Sequence, residues 1–254
     1  MTSIRKDQIR ALLKGIETGD AAAAAVVNPD KYIQHNPQTH EGSEGLAALF
    51  KRISKSSPRV KLVRVFEDGD YVFAHTEYEF ASSKVGFEVF RYEDDLVVEH
   101  WDNIQQREMP NRSGHSMVDG PTDATDLDQT EASRELVRTF VDQVLVKGQI
   151  EKLGDFIDSE RFTQHNPRLT DDLSTLRSAL DPNSQEGWSI QYDRNHRLLA
   201  EGNFVLSVSE GSVDGVHSSL YDLFRVSEGM IVEEWNTIET IPPRAEWKNE
   251  NGKF

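Results

Sequence analysis

The sequence contains the same bend twice. Tyr32-Ile33-Gln34-His35-Asn36-Pro37 returns as Phe162-Thr163-Gln164-His165-Asn166-Pro167, an offset of 165 − 35 = 130. A later pair, Glu99-His100-Trp101-Asp102-Asn103-Ile104-Gln105 and Glu233-Glu234-Trp235-Asn236-Thr237-Ile238-Glu239, repeats at 235 − 101 = 134. Two ordered markers at nearly one spacing identify a duplicated unit, so the chain must be read as two similar bodies before any residue is given a role. The 254 residues then divide into two copies of ordinary domain size.

Each copy changes its hydrophobic period once. Ile9, Leu12, Leu13 and Ile16 recur at helical spacing, Gly19 ends that helix, and Asp20 caps the alanine-rich stretch behind it. Asn28-Pro29 breaks the second segment, and Pro37 forbids continued helix at Asn36, which makes the repeated motif a pre-proline bend. Ser43 is expected to cap a helix that carries Leu46, Leu49, Phe50 and Ile53 on one face. From Val60 the period falls to two, and four strands follow, separated by turn compositions such as Asp68-Gly69-Asp70. The second copy repeats the plan, with an Asp128/Glu131 capping box predicted for its first helix. The fold class is therefore α+β, helices first and then an antiparallel meander. The expected boundaries are a first domain at 1–109, a linker at 110–129, a second domain at 130–243 and a loose polar tail at 244–254.

Composition removes several functions. A formal charge of −16 lacks the basic footprint that nucleic acid requires, and it repels acidic membrane surfaces. With no cysteine there is no disulfide, thiolate nucleophile or Cys-ligated metal. Met1 to Lys6 is followed by no apolar h-region, and the longest apolar run, Ala21 to Val27, is too short to span a bilayer. A cytoplasmic protein is expected.

The early Gln-His-Asn-Pro and the late His-Trp-Asp-x-Ile-Gln, set among helices and a curved meander, resemble the SnoaL-like branch of the NTF2-like superfamily. The chain looks like two tandem copies of that cone fold. The resemblance implies an apolar pocket closed by helices at one end of the sheet, and acid/base chemistry without metal or cofactor, as in polyketide cyclases. It also implies that an aspartate on a late strand, here Asp102, carries the proton.

Strand parity in the first copy puts Val98, His100, Asp102 and Ile104 on one face and Val97, Glu99, Trp101 and Asn103 on the other. Ionisable groups between apolar ones suit a strand lining a dry pocket, where a carboxylate can take a proton from a carbon beside a carbonyl. His75 shares a face with Tyr71 and Phe73, and His35 comes from the bend. The expected catalytic set is Asp102, His35, His75 and His100, with Tyr71, Phe73, Val98 and Ile104 binding substrate. Retention of His35 and Asn36 in the second copy, which lacks the other candidates, favours a structural role for them, satisfying backbone where helices meet sheet. No HxH or HExxH spacing points to a metal, and none is expected.

The second copy departs where it matters, with Asn236 at the Asp102 position, Glu234 at the His100 position and Val208 at that of His75. An amide cannot shuttle a proton, so the second copy reads as a degenerate partner in an intramolecular pseudo-dimer. Glu234 and His165 leave a different chemistry open there, as does further homodimerisation of the fused pair. Arg91 and Arg225, kept in both copies, suggest a structural ion pair. The function expected is a SnoaL-like enzyme performing aldol condensation, cyclisation or isomerisation on a small hydrophobic carbonyl compound. The alternative is a non-catalytic binding or protein-interaction protein of the same fold.

Overall fold

A computed structural model describes residues 3–184 and 188–254. The chain forms two compact units, one of Met1–Arg107 with Ile241–Phe254, the other of Glu108–Thr240. The first unit begins with α1 (Ile4–Thr18), whose predicted stripe of Ile9, Leu12, Leu13 and Ile16 is buried. Gly19 ends it in the left-handed conformation at φ 68°, returning its N–H to the Gly15 carbonyl. Asp20 accepts from Ala22 N as expected, although the alanine stretch Ala21–Val26 winds as a 3-10 helix.

The bend supplies a two-residue strand, β1 (Ile33–Gln34), before α2 (Gly42–Ile53). Ser43 does not cap α2, because the helix starts one residue earlier behind Glu41; its hydroxyl donates instead to Pro29 O. Then come β2 (Arg59–Asp68), β3 (Tyr71–Glu79), β4 (Ser83–Glu93) and β5 (Leu96–Gln106). The sheet order is β1-β5-β4-β3-β2, antiparallel except that β1 lies parallel to β5. The helices cover one face: α1 with Leu46 and Phe50 of α2 packs against Val60, Val65, Val72, Ala74, Tyr78 and Phe90. Each such apolar side chain contributes about 1.5–3 kcal/mol on burial.

The second unit repeats this order with α3 (Thr130–Phe140), α4 (Leu153–Phe156), β6 (Thr163–Gln164), α5 (Leu173–Leu180), β7 (Ile190–Glu201), β8 (Phe204–Val213), β9 (Val216–Ser227) and β10 (Met230–Thr240). Its sheet order is β6-β10-β9-β8-β7. The predicted capping box is not formed. Asp128 lies inside a 3-10 turn, Leu127–Gln129, and α3 begins behind Gln129 with no side-chain cap. Among the described residues no helix is long and apolar enough to cross a membrane.

Both segments read as linker and tail have partners. Residues 241–254 pack on the first unit: Lys248 N donates to Pro37 O, and the Asn249 amide donates to Asn36 O and Thr39 O. The Asn251 amide donates to Gln34 O and Glu41 Oε2. Residues 108–129 do the same for the second unit, where the Asn111 amide donates to Gln164 O and Trp235 Nε1 donates to Asp119 O. Polar composition alone suggested freedom, yet asparagine amides meet backbone carbonyls that a pre-proline bend cannot pair within itself. Each bend is thus latched by the segment that follows the other unit's last strand.

Deleting residues 244–254 should lower the first unit's stability on the order of 3 kcal/mol, from several hydrogen bonds of about 0.5–1.5 each. Amide exchange should quicken at residues 34–39 and stay unchanged at 163–168. Equal protection with and without the segment would show that the latch contributes nothing.

Candidate functional site

Every side chain of the repeated bend has a task. His35 N donates to His100 O, joining β1 to β5, while the Gln34 and Asn36 side chains accept from Asn36 N and Gln38 N, each at 2.8 Å. The His35 ring stacks on Trp101 with centroids 4.6 Å apart, and its nitrogens meet Gly252 O at 3.0 Å and Glu99 Oε1 at 2.9 Å. Glu99 Oε2 takes Arg91 Nε at 2.7 Å. Burial works against the Glu99 charge, but the bonds from His35 and Arg91 outweigh it and hold the carboxyl below its usual range.

The second unit reproduces this clamp: His165 Nε2 to Glu233 Oε1 at 2.9 Å, Arg225 Nε to Glu233 Oε2 at 2.6 Å, and His165 stacked on Trp235. The retained arginines therefore form the ion pair expected of them.

On the helix-covered face of the first sheet a different cluster assembles. Asp102 lies directly across from Glu88, and His100 across from Phe90. His100 Nε2 is 2.8 Å from Glu88 Oε2, and its Nδ1 is 3.1 Å from Gln34 Oε1. Tyr78 donates its hydroxyl to Glu88 Oε1 at 2.7 Å. Asp102 takes the Asn36 amide at 2.6 Å on one oxygen and the Lys253 ammonium at 3.3 Å on the other. All of these groups are buried except Asn36, which is half-buried. Burial, followed by the charges of Asp102 and Glu88, pushes the Tyr32 phenol upward.

This geometry separates the four residues expected to act together. Asp102 and His100 share the helix-covered face. His75 points to the opposite one, paired with Arg64 at 2.8 Å and packed edge-on against Phe87. His35 belongs to the clamp on that same opposite face, on Trp101. Tyr71 and Phe73 also lie there, around Trp101 and Phe87, so they do not line a pocket with Asp102. Val98 is displaced by a β-bulge: Arg91 pairs with Glu99 and Tyr92 with Val97, leaving Val98 between them. Val97, not Val98, joins the core with Tyr92. Ile104 keeps the parity of Asp102, opposite Gly86.

Glu88, Tyr78 and Lys253 were not anticipated. Glu88 had a signal, since Asp222 stands at 222 − 88 = 134, a carboxylate kept in both copies between apolar neighbours. Glu88, His100 and Asp102 also bring ligand atoms within 4.8 Å of one another, a convergence no sequence spacing announced. Within that group His100 bonds Glu88, and Lys253 meets Asp102. Separately, a crevice of about 450 Å³ opens between the end of α1, the alanine stretch and α2. It is lined by Ala24, Val27, Ala47 and Phe50, and by none of the residues expected to bind substrate.

The second unit fills the same face differently. Asn166 donates to Asn236 at 3.1 Å, a neutral pair in place of Asn36 and Asp102. Asp222 Oδ1 takes the Tyr192 hydroxyl at 3.1 Å, and Glu234 Oε2 takes the Gln164 amide at 2.9 Å. Among the described residues no cation faces these two carboxyls. Burial and then the Glu234 charge push Asp222 well up; burial, opposed by the Gln164 amide, pushes Glu234 up to about 7.

Residues 9–100 match the family model described as a SnoaL-like domain, so the first unit carries a SnoaL-like domain. No curated protein matches the chain. Among solved structures, TsrD from Streptomyces laurentii is 21% identical over 41% of this chain and 92% of that one, with a TM-score of 0.36. IdmH, a candidate polyketide cyclase from Streptomyces antibioticus, is 18% identical over 41% and 93%, also at 0.36. An LEH-like epoxide hydrolase from M. tuberculosis is 16% identical over 44% and 85%, at 0.35.

Two outcomes follow for these faces. A Cβ on Gly86 would sit 2.7 Å from the Tyr78 ring and 2.9 Å from Glu88 Oε1. Gly86→Ala should therefore break the Tyr78–Glu88 bond and cost about 1–3 kcal/mol in urea unfolding. In the second unit, folded Glu234 keeps a proton that the unfolded chain releases near 4.5, so its contribution to stability declines as pH rises from about 4.5 to about 7. Glu234→Gln should remove that decline and gain roughly 3 kcal/mol over wild type by the top of that window. A difference that does not change with pH would mean that the carboxyl is ionised throughout.

Proposed function

We propose that the first unit is a cofactor-free acid/base catalyst acting in the cytoplasm on a small hydrophobic carbonyl compound. Its reaction is an aldol condensation, cyclisation or isomerisation, with Asp102 as the proton carrier. The observation that carries this reading is the placing of Asp102 beside His100 and Glu88 on the buried, helix-covered face of a SnoaL-like domain. A carboxylate in such surroundings, oriented by the Asn36 amide, has the orientation and the dry setting that removal of a proton from a carbon acid requires. His100 is assigned to holding Glu88 and the Gln34 side chain in register beside it. His35 and His75 take no part in the chemistry.

One observation favours a second reading, a non-catalytic binder. The open crevice lies among the helices of the first unit, is not lined by Asp102, and is mostly apolar, with Ser43 and Glu44 on its lining. A binder of that kind would be insensitive to Asp102 and sensitive to Ala47→Phe, which fills the crevice.

The test is thermal unfolding of wild type, Asp102→Asn and Ala47→Phe against cyclic enones, phenols and hydroxylated polycyclic aromatics. Phenols imitate an enolate, and a ligand at 100 times its Kd should stabilise the fold by about 2.7 kcal/mol. The acid/base reading expects phenols to stabilise wild type and Asp102→Asn to change the shift. Loss of the shift in Ala47→Phe alone would transfer the site to the crevice.

A further inference from the structure

We propose that Lys253 is a catalytic residue of the first unit, the counter-ion to the oxygen of an enolate formed when Asp102 removes a proton. The inference rests on the acid/base reading above and adds to it a residue 151 positions away in the chain.

Lys253 is 3% exposed and its ammonium lies 3.3 Å from Asp102 Oδ1. A lysine that merely trails behind a polar segment would reach water with its long stem; this one is turned inward. Burying a cation is costly, and the latch that carries Lys253 does not need it, because its bonds to the bend come from Lys248 N, the two asparagine amides and Gly252 O.

The other copy provides an internal control. Its latch, residues 108–129, makes the equivalent bonds to Gln164 and His165 through Asn111 and Ser116. That segment contains no lysine, and its one arginine, Arg112, is exposed. Asn236 stands there in place of Asp102. The buried ammonium and the aspartate are thus present together in one copy and absent together in the other, while the latch persists in both. Lys253 belongs with the chemistry of Asp102 and not with the latch.

The step balances without an oxidant or a co-reactant. The substrate C–H bond breaks, its proton forms an O–H bond on Asp102, its electron pair forms the C=C bond of the enolate, and the carbonyl π pair moves onto oxygen. Before the step the ammonium faces an aspartate anion; after it the aspartic acid is neutral and the negative charge sits on the enolate oxygen. Net charge is unchanged, and the ammonium that stabilised the base now stabilises the intermediate, in a buried setting where such a pairing is stronger than in water. Return of the proton to a different carbon completes an isomerisation; in an aldol closure the enolate carbon attacks a second carbonyl, and the alkoxide so formed takes the proton back from Asp102.

The experiment is deuterium exchange at carbons beside the carbonyl in cyclic ketones and enones, followed by NMR in D2O. It uses the full chain as wild type, Lys253→Met, Lys253→Arg and Asp102→Asn. Phenol binding and amide exchange at residues 34–39 are measured on the same samples. Lys253→Met should slow exchange about 10²–10³-fold and weaken phenol binding, with the bend still protected, and Lys253→Arg should recover part of the rate. If Lys253→Met disturbs the bend, the double variant Asp102→Asn/Lys253→Met, which removes both charges, shows whether the latch survives without them, and Lys253→Arg then decides the catalytic role. A Lys253→Met protein that exchanges as fast as wild type overturns the proposal, and one that is faster would mean that the ammonium blocks the site. Wild type that neither exchanges nor binds phenols removes the acid/base reading itself, a different failure from either of those.

Discussion

The imidazole of the repeated bend is the interaction on which each unit depends. A pre-proline bend cannot satisfy its own backbone, and here it must also turn the chain from helices into a sheet. The ring of His35 or His165 does this by bonding a carboxylate on the last strand with one nitrogen and a distant carbonyl with the other, flat against a tryptophan. An arginine on the adjacent strand completes the chain of charges. Bend, sheet edge and latch are therefore joined through one side chain. That accounts for the survival of Gln-His-Asn-Pro in both copies with no appeal to catalysis.

On the other side of each sheet the copies solve one electrostatic problem in two ways. In the first, the carboxyls of Glu88 and Asp102 are met by the His100 ring at 2.8 Å and the Lys253 ammonium at 3.3 Å. In the second, Asp222 and Glu234 have no such partners among the described residues, and protonation relieves the repulsion instead. Replacing His100 by Glu and Asp102 by Asn thus changes the kind of chemistry the face can hold, not merely its strength. The tyrosine at the carboxyl shows the same freedom, coming from β3 in one copy and from β7, the counterpart of β2, in the other.

Much of the fold was legible because proline, glycine and hydrophobic period act locally. The stripe of α1, the bend, four strands per copy and the His100/Asp102 face all follow from residues near one another. Legibility ended where partners are remote or a ladder slips. The bulge at Val98 exchanges the roles of Val97 and Val98, since one extra residue reverses strand parity. His35 and His75 resemble site residues by type, but they project to the other face of a sheet only one layer thick. Polar composition made 110–129 and 244–254 look unstructured, because the carbonyls that bind their asparagines lie far off in sequence. Lys253 gave no signal at all.

The discontinuity of the first unit has a consequence for the order in which the protein is made. Its helices and five strands emerge first, yet the residues that latch its bend are separated from β5 by the whole second unit. At about 5–20 residues per second of synthesis, a first unit that has left the ribosome waits on the order of ten seconds with its bend uncovered and Asp102 without its cation. Through that interval its imidazole has only the Glu99 carboxylate and the face of Trp101, so the unit translated earliest is the last to be completed.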